Sequence, residues 1–504
     1  MKILHLGYNS ISIELESNNP YYHEKEYDIY LNNEFYKKNN LNVFTIFDLK
    51  SNEEYELDVL GEKLKFKTKK QNVILNLDSF GVIKDGIHDE TAKIQAAIAC
   101  APDDSTIFFP KGIYLVSSLF LKSNINLYFS DGTKIIAMTD RLSYPILPGN
   151  ASGFNFGVWE GALESNFASI FNLINVSNVS LIGNLELDCR AKDSDWYINH
   201  RVKNIAYRGH AIFLNRSNNI TISGLYIHDT QSWAVHPYFS SNVNLINLHI
   251  KNDPNMPTTD GIDPDCSNNI NIFGCIFDVG DDCIAIKSGT YDLALKYKKK
   301  SENIYIKNNL MLKGHGGVVF GSELSGGIEN VFVRQCVFLN TDRGLRIKTR
   351  RGRGRINPIK NIFMDNIYME NVKTPFVINM FYNMGPKGGH DEYVWTLKKL
   401  PVDEYTPIIE NFKFSNMKCY NVKYAAGVFL GLPEEKIKKI ELENILFTYD
   451  KEATEGYPVM IEKNFKLKNA GLYALNVLEL ICNNVKFIDV LGDEIIKKDS
   501  EWYG

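Results

Sequence analysis

The chain has 504 residues, 44% hydrophobic and 23% charged, with a formal net charge of -4 at pH 7. That length can bury a large core and suggests two or more domains, while the near-balanced charge gives no general attraction for nucleic acid or an anionic membrane. No run of about eighteen apolar residues supplies a membrane span, and the opening M-K-I-L-H-L-G-Y-N-S lacks the apolar core of a secretory signal, so a cytoplasmic protein is predicted.

Residues 1–72 alternate apolar and polar side chains in short, closely spaced segments: S-I-S-I-E-L-E, Y-D-I-Y-L-N, V-F-T-I-F-D-L-K and K-L-K-F-K-T. They predict a small β-sandwich. The piece Leu49 to Tyr55 is similar to the tyrosine corner of fibronectin type III domains, with Tyr55 as the corner residue. Such a domain could bind sugar, or serve as a spacer that shapes the rim of a cleft. Residues 73–504 form the second predicted domain. It opens with D-E-T-A-K-I-Q-A-A-I-A, residues 89–99, a helix with Asp89 as N-cap that closes the raw end of the sheet behind it.

Asparagine followed by alternating apolar residues recurs at Asn178, Asn219, Asn242, Asn269, Asn303, Asn330, Asn361 and Asn411. From Asn219 to Asn361 the steps are 23, 27, 34, 27 and 31 residues, a variable period that predicts a right-handed parallel β-helix whose coils differ in their outer turns. The fold class is therefore all-β. From Thr139 to Ala206 the alternation fades into an insertion rich in aromatic residues, of the kind that walls a site. Arg208, His210, Trp233 and His236 follow it as candidate substrate contacts. The eight cysteines, at 100, 189, 266, 275, 283, 336, 419 and 482, show no metal-ligand spacing and read as small buried side chains without disulfides.

The chemistry lies in Thr258-Thr259-Asp260-Gly261-Ile262-Asp263, Gly280-Asp281-Asp282-Cys283, Gly314-His315-Gly316 and Arg346-Ile347-Lys348. Asp281 and His315 each stand 12 residues past a repeat asparagine, Arg346 stands 16 past and Asp260 18 past. Similar offsets on successive coils stack, so Asp260, Asp281, Asp282, His315, Arg346 and Lys348 are predicted on one wall. Carboxylates can supply a general acid and a base for splitting a glycosidic bond, and the cations suit an anionic sugar. Asp281 is read as the acid, its pKa raised by neighbouring carboxylates, with Asp260 and Asp282 sharing the water and His315 tuning Asp281. Arg346 and Lys348 bind the sugar carboxylate.

This ordered quartet resembles glycoside hydrolase family 28, the polygalacturonases, over roughly residues 73–450, with Thr258 where the family carries Asn. The resemblance implies an inverting hydrolase with the three aspartates catalytic, a substrate-stacking Tyr382, and a helix like the predicted one capping bacterial members. It implies an oligogalacturonide or other pectin-derived substrate. Bacterial members with a fibronectin-like N-terminal domain tend to be exo-acting. The insertion, a second outer loop at residues 383–407 and the N-terminal domain could close one end of the groove. Arg208 or the Arg350 to Arg355 cluster would then read a terminal carboxylate. An exo-polygalacturonase working from the non-reducing end is therefore expected. An endo enzyme, a hydrolase of rhamnogalacturonan or xylogalacturonan, a Ca²⁺-dependent pectate lyase on the same fold, and a non-enzymatic β-helix are the alternatives. No metal, cofactor, nucleic acid or membrane partner is expected, and the oligomeric state stays open.

Overall fold

Each repeat asparagine sits where the chain turns into a strand with a left-handed backbone, φ between 54° and 61° from Asn178 to Asn411, a conformation that Asn tolerates and branched residues do not. Their carboxamides form a ladder. In this computed structural model Asn269 Nδ2 donates to Asn242 Oδ1 at 3.1 Å, Asn303 to Asn269 at 3.3 Å and Asn330 to Asn303 at 3.1 Å. The repeat residues are thus the hinge at which every coil begins. The described residues are 1–200, 202–383, 391–462 and 465–503.

Behind the ladder the coils stack in parallel register. On the first face Val243, Ile270, Ile304, Val331, Ile362 and Phe412 pair in succession, and on the third Ile284, Val318, Leu345 and Phe376 do the same. All are fully buried. Period-two alternation puts these side chains inside and leaves their neighbours to the outer wall, which gives the right-handed parallel β-helix that the asparagine spacing predicts. Cys100 is exposed, whereas the other seven cysteines are buried, and none is in a disulfide.

The helix spans Thr91–Cys100 and buries Ile94, Ala97 and Ile98 against the first coil. Its N-cap is Glu90 rather than the predicted Asp89, but Asp89 Oδ1 still accepts from the Thr91 N–H at 2.9 Å. Two shorter helices, Tyr291–Tyr297 and Glu392–Trp395, occupy outer turns.

The N-terminal residues form a three-stranded and a four-stranded antiparallel sheet around Ile11, Ile13, Ile29, Phe44, Leu57 and Val59. The Lys50 N–H donates to Tyr55 Oη at 2.8 Å, the bond a tyrosine corner makes. This unit docks on the turns that join the first and second faces. Thr45 Oγ1 donates to Asn247 at 2.7 Å, Asn308 donates to Glu14 at 3.0 Å, and Asp48 accepts from Tyr128 at 2.8 Å. These contacts brace the corner where the two faces meet.

Asn303 sits mid-ladder, so Asn303→Ala loses two side-chain bonds and keeps an unfavourable φ of 55°. A loss of about 3–4 kcal/mol is expected, from about 1–2 kcal/mol for the left-handed backbone and about 1 kcal/mol for each of the two bonds. Asn303→Gly should lose only the bonds. Denaturant melts of the two variants check this.

Candidate active site

The third face carries the catalytic motifs on its outer side. Val235, Ile262 and Ile284 bridge in turn, which sets Asp260 beside Asp282, and Asp282 pairs with Gly316, which sets His315 beside Asp281. Two coils on from Ala285, past Val319, comes Arg346, and past Gly321 comes Lys348. Small residues at 285, 316, 319 and 321 hollow the wall between the charged ones.

An oxygen of each of Asp260, Asp281 and Asp282 lies within 4.8 Å of the others. Lys348 Nζ donates to Asp282 Oδ2 at 2.7 Å, and Arg346 Nη1 stands 3.9 Å from Asp282 Oδ1. His315 Nδ1 is 3.2 Å from Asp281 Oδ1, and the Thr258 N–H donates to Asp281 Oδ2 at 2.9 Å. Of the three aspartate side chains only Asp281 is open to solvent, at 23%, against 6% for Asp260 and 1% for Asp282. The Tyr382 ring centre lies 5.9 Å from Arg346 and 6.0 Å from Lys348. Six of the predicted residues therefore meet, with Tyr382 beside them.

Three residues that sequence reasoning left unassigned complete the cluster. Lys287 Nζ stands 3.7 Å from Asp260 and 3.8 Å from Asp263, over the Trp233 ring at 4.5 Å. Asp265 bridges to Lys287 along the same column. The signal was faint: Asp263 closes the Asp260 motif, and Lys287 lies five residues past Asp282 in an otherwise apolar strand.

The charges sort the carboxyls differently from the expectation. Burial, helped by Asp263 and Asp281, pushes Asp260 well above the usual carboxylate range. Burial lifts Asp263 to about 8 against the pull of Lys287, and Asp265 to about 7. Burial acts upward on Asp281 as well, but the hydrogen bond and charge of His315, with Lys348 and the Thr258 N–H, outweigh it and hold Asp281 below the usual range. The predicted rise at Asp281 is thus corrected for the substrate-free site. Its hydrogen bond to Asp281 raises His315. Lys287, Lys348, Arg346 and His315 already stand against these carboxylates, which leaves a poor site for Ca²⁺ with its roughly six to eight oxygen ligands.

This pair has a stability signature. A depressed Asp281 contributes above its unfolded pKa of about 3.9 and loses that contribution as pH falls through the folded value. A raised His315 contributes fully below its unfolded pKa of about 6.5 and loses it as pH rises through the folded value. Both hold between about pH 4 and 6.5. His315→Gln should therefore lose most stability near pH 5 to 6 and less above pH 8, a trend that melting curves across pH would show. The effect is modest, because the His315 side chain is 50% exposed.

Other predicted contacts are corrected. His236 is fully buried, with Nδ1 3.1 Å from His210 Nε2 and Nε2 3.8 Å from Asp265, so it supports the wall from beneath. Arg208 is also buried, sandwiched by Trp159 and Tyr197. It donates to Gln231 O and to Thr258 Oγ1, both at 2.8 Å, and so holds the residue that orients Asp281. Thr258 has φ 60°, strained for a β-branched side chain where Asn would rest easily.

The arginine run divides. Arg351 binds Glu434 through Nε and Nη2 at 2.5 and 2.9 Å, Arg355 binds Glu435 at 3.1 Å, and Arg343 donates to the Pro458 and Tyr457 carbonyls. Of the outer loop predicted at 383–407, residues 384–390 lie outside the described residues. Its later part is tied down by Arg351, which donates to the Tyr393 and Thr396 carbonyls.

The insertion reaches this face. Trp159 stacks on Tyr207 at 5.0 Å and on Trp233 at 5.7 Å. Thr290 Oγ1 donates to the Gly161 carbonyl at 2.8 Å. A Cβ on Gly161, which has φ 73°, would lie 2.8 Å from Glu323 Cγ and 2.8 Å from the Thr290 nitrogen. The hairpin tip therefore rests on the coils that carry Lys287 and Glu323, beside the aspartates.

Residues 74–141 match the model "Rhamnogalacturonase A/epimerase, pectate lyase-like". A probable polygalacturonase of Vitis vinifera is 28% identical over 378 residues, 73% of each chain. The structure of a hyperthermoactive exopolygalacturonase from Thermotoga maritima aligns with TM-score 0.64 and 26% identity, over 79% of this chain and 95% of that one. A family 28 exopolygalacturonase from Yersinia enterocolitica shares the fold over 99% of this chain and 97% of its own, with TM-score 0.73 and 18% identity. Residues 152–431, which hold the aspartates, His315, Arg346 and Lys348, match the model for glycosyl hydrolases family 28, and the chain belongs to that family of glycoside hydrolases.

Proposed function

We propose that the protein is an exo-polygalacturonase that removes galacturonate from the non-reducing end of galacturonan chains by hydrolysis with inversion. The observation that carries the exo reading is the hairpin at Trp159 to Ala162, seated on Glu323 and Thr290 beside the aspartates. A groove walled there accepts a chain end and stops it. The exo-acting relative from Thermotoga maritima supports the same reading.

Asp281 is the acid, because it alone of the three has an accessible side chain. Its proton source is the pair it forms with His315, which holds one proton between two groups 3.2 Å apart. Lys348 is one of the charges that depress Asp281. A substrate carboxylate bound at Lys348 and Arg346 offsets that charge and lets the shared proton shift toward Asp281. Asp281 then protonates the glycosidic oxygen as its bond to the anomeric carbon breaks. Water attacks that carbon from the opposite face and gives its proton to the Asp260 and Asp282 pair, in which Asp282, the carboxylate paired with Lys348, receives it beside Asp260, and solvent exchange returns the proton to Asp281 and His315.

A retaining route is the second reading, favoured by one observation. The oxygens lie within 4.8 Å, short of the roughly 6.5–9.5 Å usual between carboxyl groups of inverting enzymes. Inversion is supported by how firmly the alternative nucleophiles are held: Asp282 is 1% exposed and paired with Lys348, and Asp260 is buried against Lys287. Proton NMR at early turnover separates the two, since inversion at an α-linkage yields the β-anomer first and retention the α-anomer. Viscosity against reducing ends on polygalacturonate tests the mode of attack. Slow thinning with monomer or dimer from the start supports exo action, and early collapse with mixed long products contradicts it.

A further inference from the structure

Arg353 differs from its neighbours in the arginine run. Arg351 and Arg355 have carboxylate partners at hydrogen-bond distance. Arg353 is only 8% exposed, yet among the described residues its ion pair is Nη2 to Glu323 Oε1 at 3.7 Å, and its Nε has no hydrogen-bond partner there. Buried donors are nearly always satisfied, and an unpaired one in a native protein calls for a partner. Glu323 is held by Ser322, whose hydroxyl donates to Oε1 at 2.5 Å, so it stands off from the guanidinium. Nε and Nη2 make the side edge of the guanidinium, which takes a carboxylate through two parallel bonds.

The position fits a chain end. Glu323 packs against Gly161 at the tip of the insertion, where an added Cβ would lie 2.8 Å from Glu323 Cγ, and Arg353 lies within electrostatic reach of Glu160, of Tyr382 and of Arg350. Arg353 thus lies between the wall that stops the chain and Tyr382 of the catalytic wall. Arg346 and Lys348 serve one sugar carboxylate. A second cation serves the next.

We propose that Arg353, held in place by Glu323, binds the carboxylate of the galacturonate at the non-reducing end, so that the pocket takes a free uronate there and rejects its methyl ester. This rests on the exo reading.

The test uses the full chain and three trigalacturonates labelled at the reducing end: the free acid, one esterified only on the non-reducing residue, and one esterified only on the middle residue. Wild-type enzyme should cleave the non-reducing ester about 10- to 100-fold less efficiently than the free acid. Arg353→Gln should lose a similar factor on the free acid and little on that ester, so that discrimination at the end residue collapses while discrimination at the middle residue persists. Arg353→Lys should recover part of it. Equal wild-type rates on the free acid and the end ester overturn the proposal without any variant, as does an equal loss on both substrates in Arg353→Gln. Failure of the exo reading looks different, because labelled monomer would appear first instead of labelled dimer.

Discussion

Asp281→Asn is expected to lower turnover on oligogalacturonides by about 10²- to 10⁴-fold, the usual contribution of a positioned general acid, with the fold unchanged. The amide keeps the shape and can still accept from the Thr258 N–H, which now reaches Asp281 at 2.9 Å, but it cannot deliver a proton to the leaving oxygen. Binding should survive, so the loss falls on kcat rather than KM. The variant also removes the partner of His315, whose pKa should fall back toward about 6.5 and be visible by NMR. Turnover within tenfold of wild type, with normal circular dichroism, would remove Asp281 from the role and leave Asp260, with its raised pKa, as the acid.

Lys348→Ala is the second large effect, and it has two parts. Lys348 donates to Asp282 at 2.7 Å and is 9% exposed. Its loss leaves a carboxylate that is 1% exposed without its hydrogen-bonded cation, with Arg346 standing off at 3.9 Å. Breaking a buried pair from one side costs about 3–5 kcal/mol, so melting should fall by several degrees. The second part is read by substrate. A lost charged hydrogen bond to galacturonate is worth about 1.5–3 kcal/mol, so kcat/KM on the free acid should fall about 10- to 100-fold further than on the methyl ester. Lys348→Arg should restore much of the stability. Equal losses on acid and ester would mean that Lys348 only holds the coil.

Much of the fold was legible because a β-helix writes its period into single residues. The left-handed turn at each coil start admits few side chains, so Asn219 to Asn361 mark the coils, and the alternation behind them predicts the faces. The motif residues could be brought together by counting from those asparagines. Lys287 and Asp265 escaped because neither belongs to a motif, and their meeting depends on a register that only strand pairing reveals. The arginine run could not be sorted in sequence, since the partners of Arg351 and Arg355 are Glu434 and Glu435, some eighty residues on. The sense of the Asp281 shift turned on His315, whose distance decides whether it outweighs burial. The N-terminal sheets were readable as a sandwich, but docking through Thr45, Asp48 and Glu14 is a surface match between two domains that no local pattern encodes.

The central claim is tested most directly on a hexagalacturonate carrying a fluorophore at its reducing end, sampled before a tenth of it is consumed. If the chain end is stopped by the hairpin at Trp159 to Ala162, the first labelled product is one sugar shorter than the substrate, then two, with unlabelled monogalacturonate rising in step. Labelled dimers and trimers at the earliest time would contradict the account, because they require a groove open on both sides of Asp281.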